Sequence, residues 1–281
     1  MVNSILLLEA VIHTVTPDKI AIDARQSMEI TFIRHATLLV SINGLNLLVD
    51  PMFSPARSSE AIPDTPNQQR NPLIELPLDD AGLSRLLDEI DAVLVTHTHS
   101  DHWDEFARTL LAKDLPVFCQ PEDEQRIHEA GFESVRPIAQ EQVWKGLRFS
   151  RTAGRHGKGK IGEMMAPVSG FVIQAEGEPV LYLAGDTIWC TEVEDSLRLY
   201  QPEIIVVNAG AAQFSTGGPI TMTADDVINV CRASPGAEVV AVHMEAINHC
   251  LLSREELLAA VSDANVETMV KIPADGETMS L

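Results

Sequence analysis

The feature that most restricts the fold of this chain is a cluster of metal-binding residue types directly after an apolar segment. Residues 97–102 read His-Thr-His-Ser-Asp-His and follow Ala92–Val95, a short apolar run that predicts a buried strand. Alternate residues of an extended chain point to the same side, so His97 and His99 can converge, while the following turn directs Asp101 and His102 elsewhere. Imidazole and carboxylate groups are ligands of zinc and similar cations. The run therefore predicts a metal centre at one end of a sheet, with ligands for two ions.

Three further residues of metal-binding types follow predicted strands, namely His156, Asp186 and His243. Each stands where a sheet would present a side chain to a common edge, so the three can join the histidine run. Gly154 and Gly157 flank His156 and permit a close backbone approach. Taken singly, His156 is also compatible with a surface loop and Asp186 with a turn.

Residues 28–281 alternate between predicted strands and helices. Hairpins, such as the one signalled by Asn43-Gly44, and β-α units occur together, which favours a layered α+β architecture. The proline-rich stretch from Ser54 to Pro77 lacks these patterns, and we interpret it as a rim or lid over the site. We interpret residues 1–27 as a dispensable N-terminal extension, with Met28 as an alternative functional start.

The charge of the chain restricts its partners. Forty-one acidic and 20 basic residues give a net charge of -21, which repels phosphate backbones and anionic membrane surfaces, so neither nucleic acid nor a membrane is an expected partner. No apolar run reaches the roughly 18 residues of a transmembrane helix, and Ile5–Ile12 lacks the basic lead-in of a secretory signal. The four cysteines form no C-x-x-C pair and are expected to be reduced thiols. A cytoplasmic location is the resulting expectation.

Five of the 20 basic residues lie within thirteen positions around His156. One interpretation is a solvated loop, the usual environment of a charge run. The other is an anion-accepting rim beside a metal, with Arg151 and Arg155 as substrate-binding residues. Under the second interpretation, alanine at both positions raises KM for a phosphorylated substrate. The five residues are Arg148, Arg151, Arg155, Lys158 and Lys160.

An Asp at a strand end (Asp50), the H-x-H-x-D-H run, a single His, a single Asp and a final His follow one another in this chain. This order resembles the five-motif pattern of the metallo-β-lactamase superfamily over roughly residues 28–281. The resemblance implies a four-layer αββα sandwich with its metals at one edge. It places Asp50 behind the ligands, where it would orient a ligand histidine. It also implies His97, His99 and His156 on one metal, Asp101, His102 and His243 on a second, and Asp186 bridging the two.

The segments Arg34-His35-Ala36-Thr37 and Leu47-Leu48-Val49-Asp50 are similar to the subgroup that contains ascorbate-6-phosphate lactonase and N-acylphosphatidylethanolamine phospholipase D. The resemblance implies a metal-dependent hydrolase that cleaves a lactone or phosphoester bond in a small anionic substrate. Two divalent cations about 3.5 to 4 Å apart acidify a shared water, so a metal-bound hydroxide is the expected nucleophile. Asp101 or Asp186 is the expected catalytic group for its proton. Zinc is the expected metal, and the same ligands accept manganese or iron.

Several assignments stay open at this point. His249 is a substrate-binding group or an acid in one interpretation and a helix cap in the other. His35 either hydrogen-bonds to the site from behind the ligands or is structural. A mononuclear iron dioxygenase and a non-catalytic metal-binding regulatory protein are the alternative functions, although every motif position is filled, which argues against the second. The expected partner is a small-molecule substrate, and a homo-oligomer is left open.

Overall fold

The computed structural model describes residues 28–281, whose strands form two mixed sheets of seven strands each. The predicted N-terminal extension, residues 1–27, lies outside the described residues, so its dispensability stays a prediction. In chain order the strands are β1 (Glu29–Arg34), β2 (Thr37–Ile42), β3 (Leu45–Val49), β4 (Ala92–Val95), β5 (Pro116–Cys119), β6 (Ser134–Pro137), β7 (Glu141–Trp144), β8 (Leu147–Ala153), β9 (Ser169–Gln174), β10 (Leu181–Leu183), β11 (Ile204–Asn208), β12 (Glu238–Val242), β13 (Val270–Lys271) and β14 (Thr278–Ser280).

The two sheets share one construction, antiparallel on one side and parallel on the other. The first has the order β14-β1-β2-β3-β4-β5-β6 and is parallel from β3 to β6. The second has the order β13-β12-β11-β10-β9-β8-β7 and is parallel from β10 to β13. Because neighbouring parallel strands end at the same edge of a sheet, the residues that follow β3 and β4, and those that follow β10, β11 and β12, are brought together.

Three clusters of buried apolar side chains divide the molecule into four layers. The first cluster lies between the sheets, where the rings of Phe118 and Phe149 stack with centroids 4.7 Å apart. The other two pack the outer face of each sheet against helices. The expected αββα sandwich is therefore confirmed. The helices are α1 (Asp80–Glu89), α2 (Glu105–Leu110), α3 (Glu124–Glu129), α4 (Gly159–Met165), α5 (Thr191–Tyr200), α6 (Ala224–Ala233) and α7 (Arg254–Asp263); α1 to α3 cover the first sheet, and α5 to α7 cover the second.

Sequence patterns predicted the elements on which the candidate site is built, but they did not predict β7, α4, α5 and β14. Helix α4 contains two glycines and has no side-chain hydrogen bond at its N-terminus. Strand β14 has three residues and forms by pairing with β1 across the length of the chain. Elements as short as β7, α4 and β14 depend on tertiary packing more than on local propensity, whereas the length of α5, ten residues, does not explain why it was missed.

The segment from Ser54 to Pro77, called the rim segment below, is irregular as predicted. The fully buried side chain of Arg34 holds it near both ends. Its guanidinium donates hydrogen bonds to the carbonyl oxygens of Ser54 at 2.9 Å and Ile74 at 3.0 Å.

Within residues 28–281, no helix combines the length and apolarity needed to cross a membrane. All four cysteines lie in this part of the chain and are free thiols, as expected.

Candidate metal centre

Three histidine side chains converge at the edge of the sandwich where β4 and β8 end. His97 and His99 come from the loop after β4, and His156 comes from the loop after β8. The Nε2 atom of His97 lies 2.8 Å from Nδ1 of His99, and one nitrogen of each of the three rings lies within 4.8 Å of the others. The three nitrogens form a set that could hold one cation.

A second set lies beside the first. Nε2 of His102 is 3.2 Å from Nε2 of His243, and each of these atoms is 3.7 Å from Oδ2 of Asp101. His35 adds a fourth side chain, because its Nε2 atom lies 3.0 Å from the same carboxylate oxygen. The sequence left His35 either hydrogen-bonded to the site from behind the ligands or structural, and in the structure its fully buried ring contacts Asp101.

Asp186 lies between the two sets. Its Oδ2 atom is 3.3 Å from Nε2 of His156 in the first set and 3.3 Å from Nε2 of His102 in the second. Its Oδ1 atom is 3.3 Å from Nε2 of His243 and accepts a hydrogen bond of 2.6 Å from Nδ2 of Asn208. A carboxylate in this position can reach cations held by both sets.

The outer nitrogens of these rings have partners that orient them. Nδ1 of His102 donates to Oδ2 of Asp50 at 2.8 Å, and Nδ1 of His156 donates to the carbonyl oxygen of Ile220 at 2.8 Å. Because these oxygens only accept hydrogen bonds, the proton of each ring must lie on Nδ1, which leaves Nε2 free to bind a cation. Nδ1 of His243 lies 3.5 Å from the Sγ atom of Cys250. Asp50 therefore occupies the position that its predicted role requires.

Three site residues adopt left-handed backbone conformations immediately after strands. His35 follows β1 with φ of 61°, Asp50 follows β3 with φ of 43°, and His243 follows β12 with φ of 67°. This region is sparsely populated by residues other than glycine and concentrates at functional sites. The backbone N–H of His243 donates to the carbonyl oxygen of His35 at 2.7 Å, so the two sheets are joined at the site itself.

The electrostatics of the cluster are dominated by buried carboxylates and imidazoles. Burial disfavours a charge on His102, but the carboxylates of Asp186, Asp101 and Asp50 outweigh this effect and raise its pKa well above the usual value. Burial also acts against protonation of His243, yet Asp186 in particular raises its pKa to about 10. Burial alone would raise the pKa of Asp186, whereas the surrounding histidines hold it well below its usual range. The buried carboxylates of the site are therefore stable only with positive charge beside them, from protonated histidines or from bound cations.

The chemistry of the donor set fits divalent cations. Nitrogen and oxygen atoms with lone pairs face one another at 2.8 to 3.8 Å in a buried space, which is unfavourable unless a proton or a cation lies between them. Imidazole and carboxylate together suit zinc, manganese and iron. The seven residues assigned from the sequence are thus brought together by the fold, in two sets with Asp186 between them.

The predicted substrate-binding histidine also lies at the site. His249 is 4% exposed, its ring stacks with that of Phe214 at a centroid distance of 6.3 Å, and its Nδ1 atom has no hydrogen-bond partner within the described chain. Burial lowers its pKa to about 4, partly offset by Asp101 and Asp186 and reinforced by His243. At neutral pH the ring is uncharged and can accept or donate one hydrogen bond. The alternative prediction, that His249 caps a helix, is wrong, because Ser253 is the N-cap of α7, the helix that follows His249.

The predicted anion-binding arginines are engaged with carboxylates. Arg151 lies 3.0 Å from Glu122 and also donates to Oγ of Ser169 at 2.7 Å, and Arg155 lies 2.8 Å from Glu192. Part of each guanidinium charge is therefore compensated within the protein. Their role in substrate binding stays a prediction.

Sequence reasoning missed three contributors to the site. Asn208, the last residue of β11, holds Asp186, and the strand-end position that identified the ligands could have identified it. Phe214 and the carbonyl group of Ile220 lie in an irregular loop. No local signal in the sequence marks those two, because their contacts depend on how the loop folds back.

Gly210→Ala is expected to disrupt the site by displacing a ligand. A Cβ atom at Gly210 would lie 2.2 Å from the carbonyl oxygen of His243 and 3.0 Å from Sγ of Cys250, so the backbone at His243 must move. We expect a destabilisation of about 1 to 3 kcal/mol, as for overpacking elsewhere, and a lower metal content. Chemical denaturation and metal analysis measure the two effects. Gly236→Ala is the matched control, because no atom lies within 4 Å of its Cβ position, and equal behaviour of the two variants would contradict the explanation.

Comparison with known proteins identifies relatives over nearly the whole described chain. A family model described as Beta-lactamase superfamily domain matches residues 45–244. The UPF0173 protein YddR of Bacillus subtilis is 39% identical over 89% of this chain and 99% of its own length, and further relatives carry the name metal-dependent hydrolase. A structure from Veillonella parvula, described as a possible metal-dependent hydrolase, is 34% identical with a TM-score of 0.87 and covers 91% of this chain and 100% of its own. The isothiocyanate hydrolase of Delia radicum gut bacteria is 37% identical with a TM-score of 0.85 and covers 90% of this chain and 99% of its own.

Proposed function

Because the chain belongs to the beta-lactamase superfamily domain family and is a metal-dependent hydrolase, we propose that it cleaves a small organic substrate at a centre of two divalent cations. The observation that carries the proposal is the position of Asp186, whose carboxylate lies 3.3 Å from ligand nitrogens of both sets. His97, His99 and His156 hold the first cation. Asp101, His102 and His243 hold the second.

The residues around the cations have distinct tasks in this proposal. When bound, two such cations supply a hydroxide at neutral pH and polarise the bond to be broken. Oδ2 of Asp101 lies 3.0 Å from Nε2 of His35, which holds the carboxylate in place. This buried carboxylate can then hold the proton of the attacking water. His249, whose uncharged ring has a buried Nδ1 atom without a hydrogen-bond partner in the described chain, contacts the substrate in this proposal. Zinc is the proposed metal, with manganese or iron as alternatives.

An isothiocyanate is the substrate class with the best support. The isothiocyanate hydrolase is 37% identical to this chain over nearly the full length of both. The ion pairs of Arg151 and Arg155 also favour a neutral substrate over an anion. In the reaction, the oxygen of water bonds to the central carbon of the isothiocyanate and both protons pass to nitrogen. The carbon–nitrogen bond then breaks to release an amine and carbonyl sulfide.

A lactone or phosphoester is the second candidate, and it is favoured by the basic residues near His156. Lys158 and Lys160 are exposed there and have no ion pair within the described chain. Cleavage of such bonds needs the same hydroxide and the same polarisation of a carbonyl or phosphoryl oxygen.

Initial rates of the metal-loaded protein with phenyl isothiocyanate, γ-butyrolactone and p-nitrophenyl phosphate test the proposal. We expect amine release from the isothiocyanate to be fastest, and we expect none of the three reactions in His156→Ala. A lactone or phosphate rate that exceeds the isothiocyanate rate would select the second candidate. Absence of turnover with all three would remove the proposal.

Arg151→Ala combined with Arg155→Ala tests for an anionic substrate. If the arginines bind phosphate, KM for p-nitrophenyl phosphate rises roughly tenfold, which corresponds to one charged hydrogen bond of about 1.5 kcal/mol. KM for neutral p-nitrophenyl acetate stays constant. Arg148→Ala serves as the matched control, since Arg148 belongs to the same basic run and pairs with Glu141 at the surface. An unchanged KM for both esters would end the argument for an anion.

A further inference from the structure

A fully buried asparagine lies next to His249 and connects two distant parts of the chain. The side chain of Asn248 uses both of its polar atoms on the rim segment. Oδ1 accepts hydrogen bonds from the backbone N–H of Ile62 at 3.0 Å and from Nδ2 of Asn71 at 2.7 Å. Nδ2 donates to Oγ1 of Thr65 and to the carbonyl oxygen of Asn67, each at 2.7 Å.

Asn248 and His249 belong to an irregular turn, residues 244–250, which is called the His249 turn below. The backbone of this turn also bonds to the rim segment. The N–H of Asn248 donates to Oδ1 of Asn71 at 2.9 Å, and its carbonyl oxygen accepts from Nδ2 of Asn67 at 2.8 Å. Two residues earlier, the carbonyl oxygen of Ala246 accepts from the N–H of Leu73 at 2.7 Å. The turn is therefore fastened to the rim segment at two positions, Ala246 and Asn248, across about 180 residues of sequence.

The ring of His249 is held from its other side by the loop that carries Phe214. The N–H of Gln213 donates to the carbonyl oxygen of His249 at 3.0 Å, and the Phe214 ring stacks on the imidazole. The N–H of Ser215 donates to the carbonyl oxygen of Asp64 at 2.6 Å, which joins this loop to the rim segment as well. The rim segment, the Phe214 loop and the His249 turn thus form one hydrogen-bonded unit beside the ligand sets.

We propose that Asn248 is a positioning residue that fixes the His249 ring at the substrate position by fastening its turn to the rim segment. The inference rests on the proposed function in one respect, the contact of His249 with substrate. The rim segment has no helix or long strand of its own, so the buried amide supplies the order that regular structure would otherwise supply. The segment is accordingly a fixed wall of the site.

Asn248→Asp tests this assignment with little change in size. The substitution places a carboxylate oxygen against Oγ1 of Thr65 and the carbonyl oxygen of Asn67, where the amide had donated. We expect faster hydrogen–deuterium exchange in residues 61–71 and 244–250, unchanged metal content, and a kcat lowered by about 10- to 100-fold, the scale of a misplacement near 1 Å. Thr65→Val removes a single partner and should give the same effects at smaller size, which covers the case in which Asn248→Asp does not fold.

Arg70→Ala is the matched control for a loosened rim segment. Among residues 28–281, Arg70 bonds only to Arg57, Ser58 and Glu60, all within that segment, so its loss should leave kcat unchanged. A double-mutant cycle supplies the decisive measurement. If Asn248 acts through His249, Asn248→Asp has no further effect on kcat in the His249→Ala background.

An equal loss of kcat in both backgrounds, or faster exchange with unchanged kcat, would overturn the positioning role. If the wild-type protein hydrolyses none of the substrates, the proposed function fails on its own. Hydrogen–deuterium exchange still tests the inference in that case. An unchanged exchange rate of residues 244–250 in Asn248→Asp would refute the inference without any activity measurement.

Discussion

Asp186→Ala is expected to lower kcat on the order of a thousandfold or more, a larger loss than the 10- to 100-fold typical of residues that only support a ligand. The carboxylate lies within 4 Å of histidine nitrogens from both sets. If the site holds the two cations proposed above, removal of the carboxylate would leave less negative charge between them, so their mutual repulsion would rise. The variant should therefore bind fewer ions as well as turn over more slowly.

Metal analysis and initial rates on the same preparation separate these two effects. Asp186→Asn keeps the shape of the side chain and removes its charge, so it should resemble the alanine variant if charge is the cause. Asp195→Ala is the control, because Asp195 is an exposed carboxylate on α5 that pairs with Arg198. Two ions per chain and a kcat within about threefold of wild type in Asp186→Ala would refute the bridging position.

The ligand positions could be predicted because they are properties of strand ends. Each ligand residue follows a segment whose apolar pattern identifies it as a strand, and parallel strands bring their ends to one edge. His97, Asp186 and His243 illustrate this, since each stands within three residues of the end of β4, β10 or β12. The layered architecture could be predicted for the same reason, from the alternation of strands and helices.

Features that depend on distant pairing could not be predicted. The basic run around His156 is visible in the sequence, but the pairing of Arg151 with Glu122 and of Arg155 with Glu192 follows from the packing of other elements. The role of Asn248 is likewise hidden, because its partners lie about 180 residues away in a segment without regular structure. A charge run or a lone asparagine in a sequence carries no information about its partners.

Removal of the metals is expected to cost this protein much of its stability in addition to its activity. An ion held at a free concentration 1,000 times its Kd stabilises the folded state by about 4 kcal/mol. In a domain of this size each kcal/mol shifts Tm by about 2 to 4 °C, so loss of two ions should lower Tm by roughly 15 to 30 °C. Treatment with a chelator followed by thermal denaturation measures the loss, and titration with zinc or manganese should restore it together with the activity.

The same titration counts the ions. His156 contributes to the first set alone, so His156→Ala should retain one ion per chain and recover about half of the metal-dependent shift in Tm. The matched control is His128→Ala, since His128 lies outside the cluster and its Nδ1 atom contacts the carbonyl oxygen of Phe132. Full recovery of the shift in His156→Ala would mean that the first set holds no ion of its own. The centre would then contain a single cation at Asp101, His102 and His243, and Asp186 would have nothing to bridge.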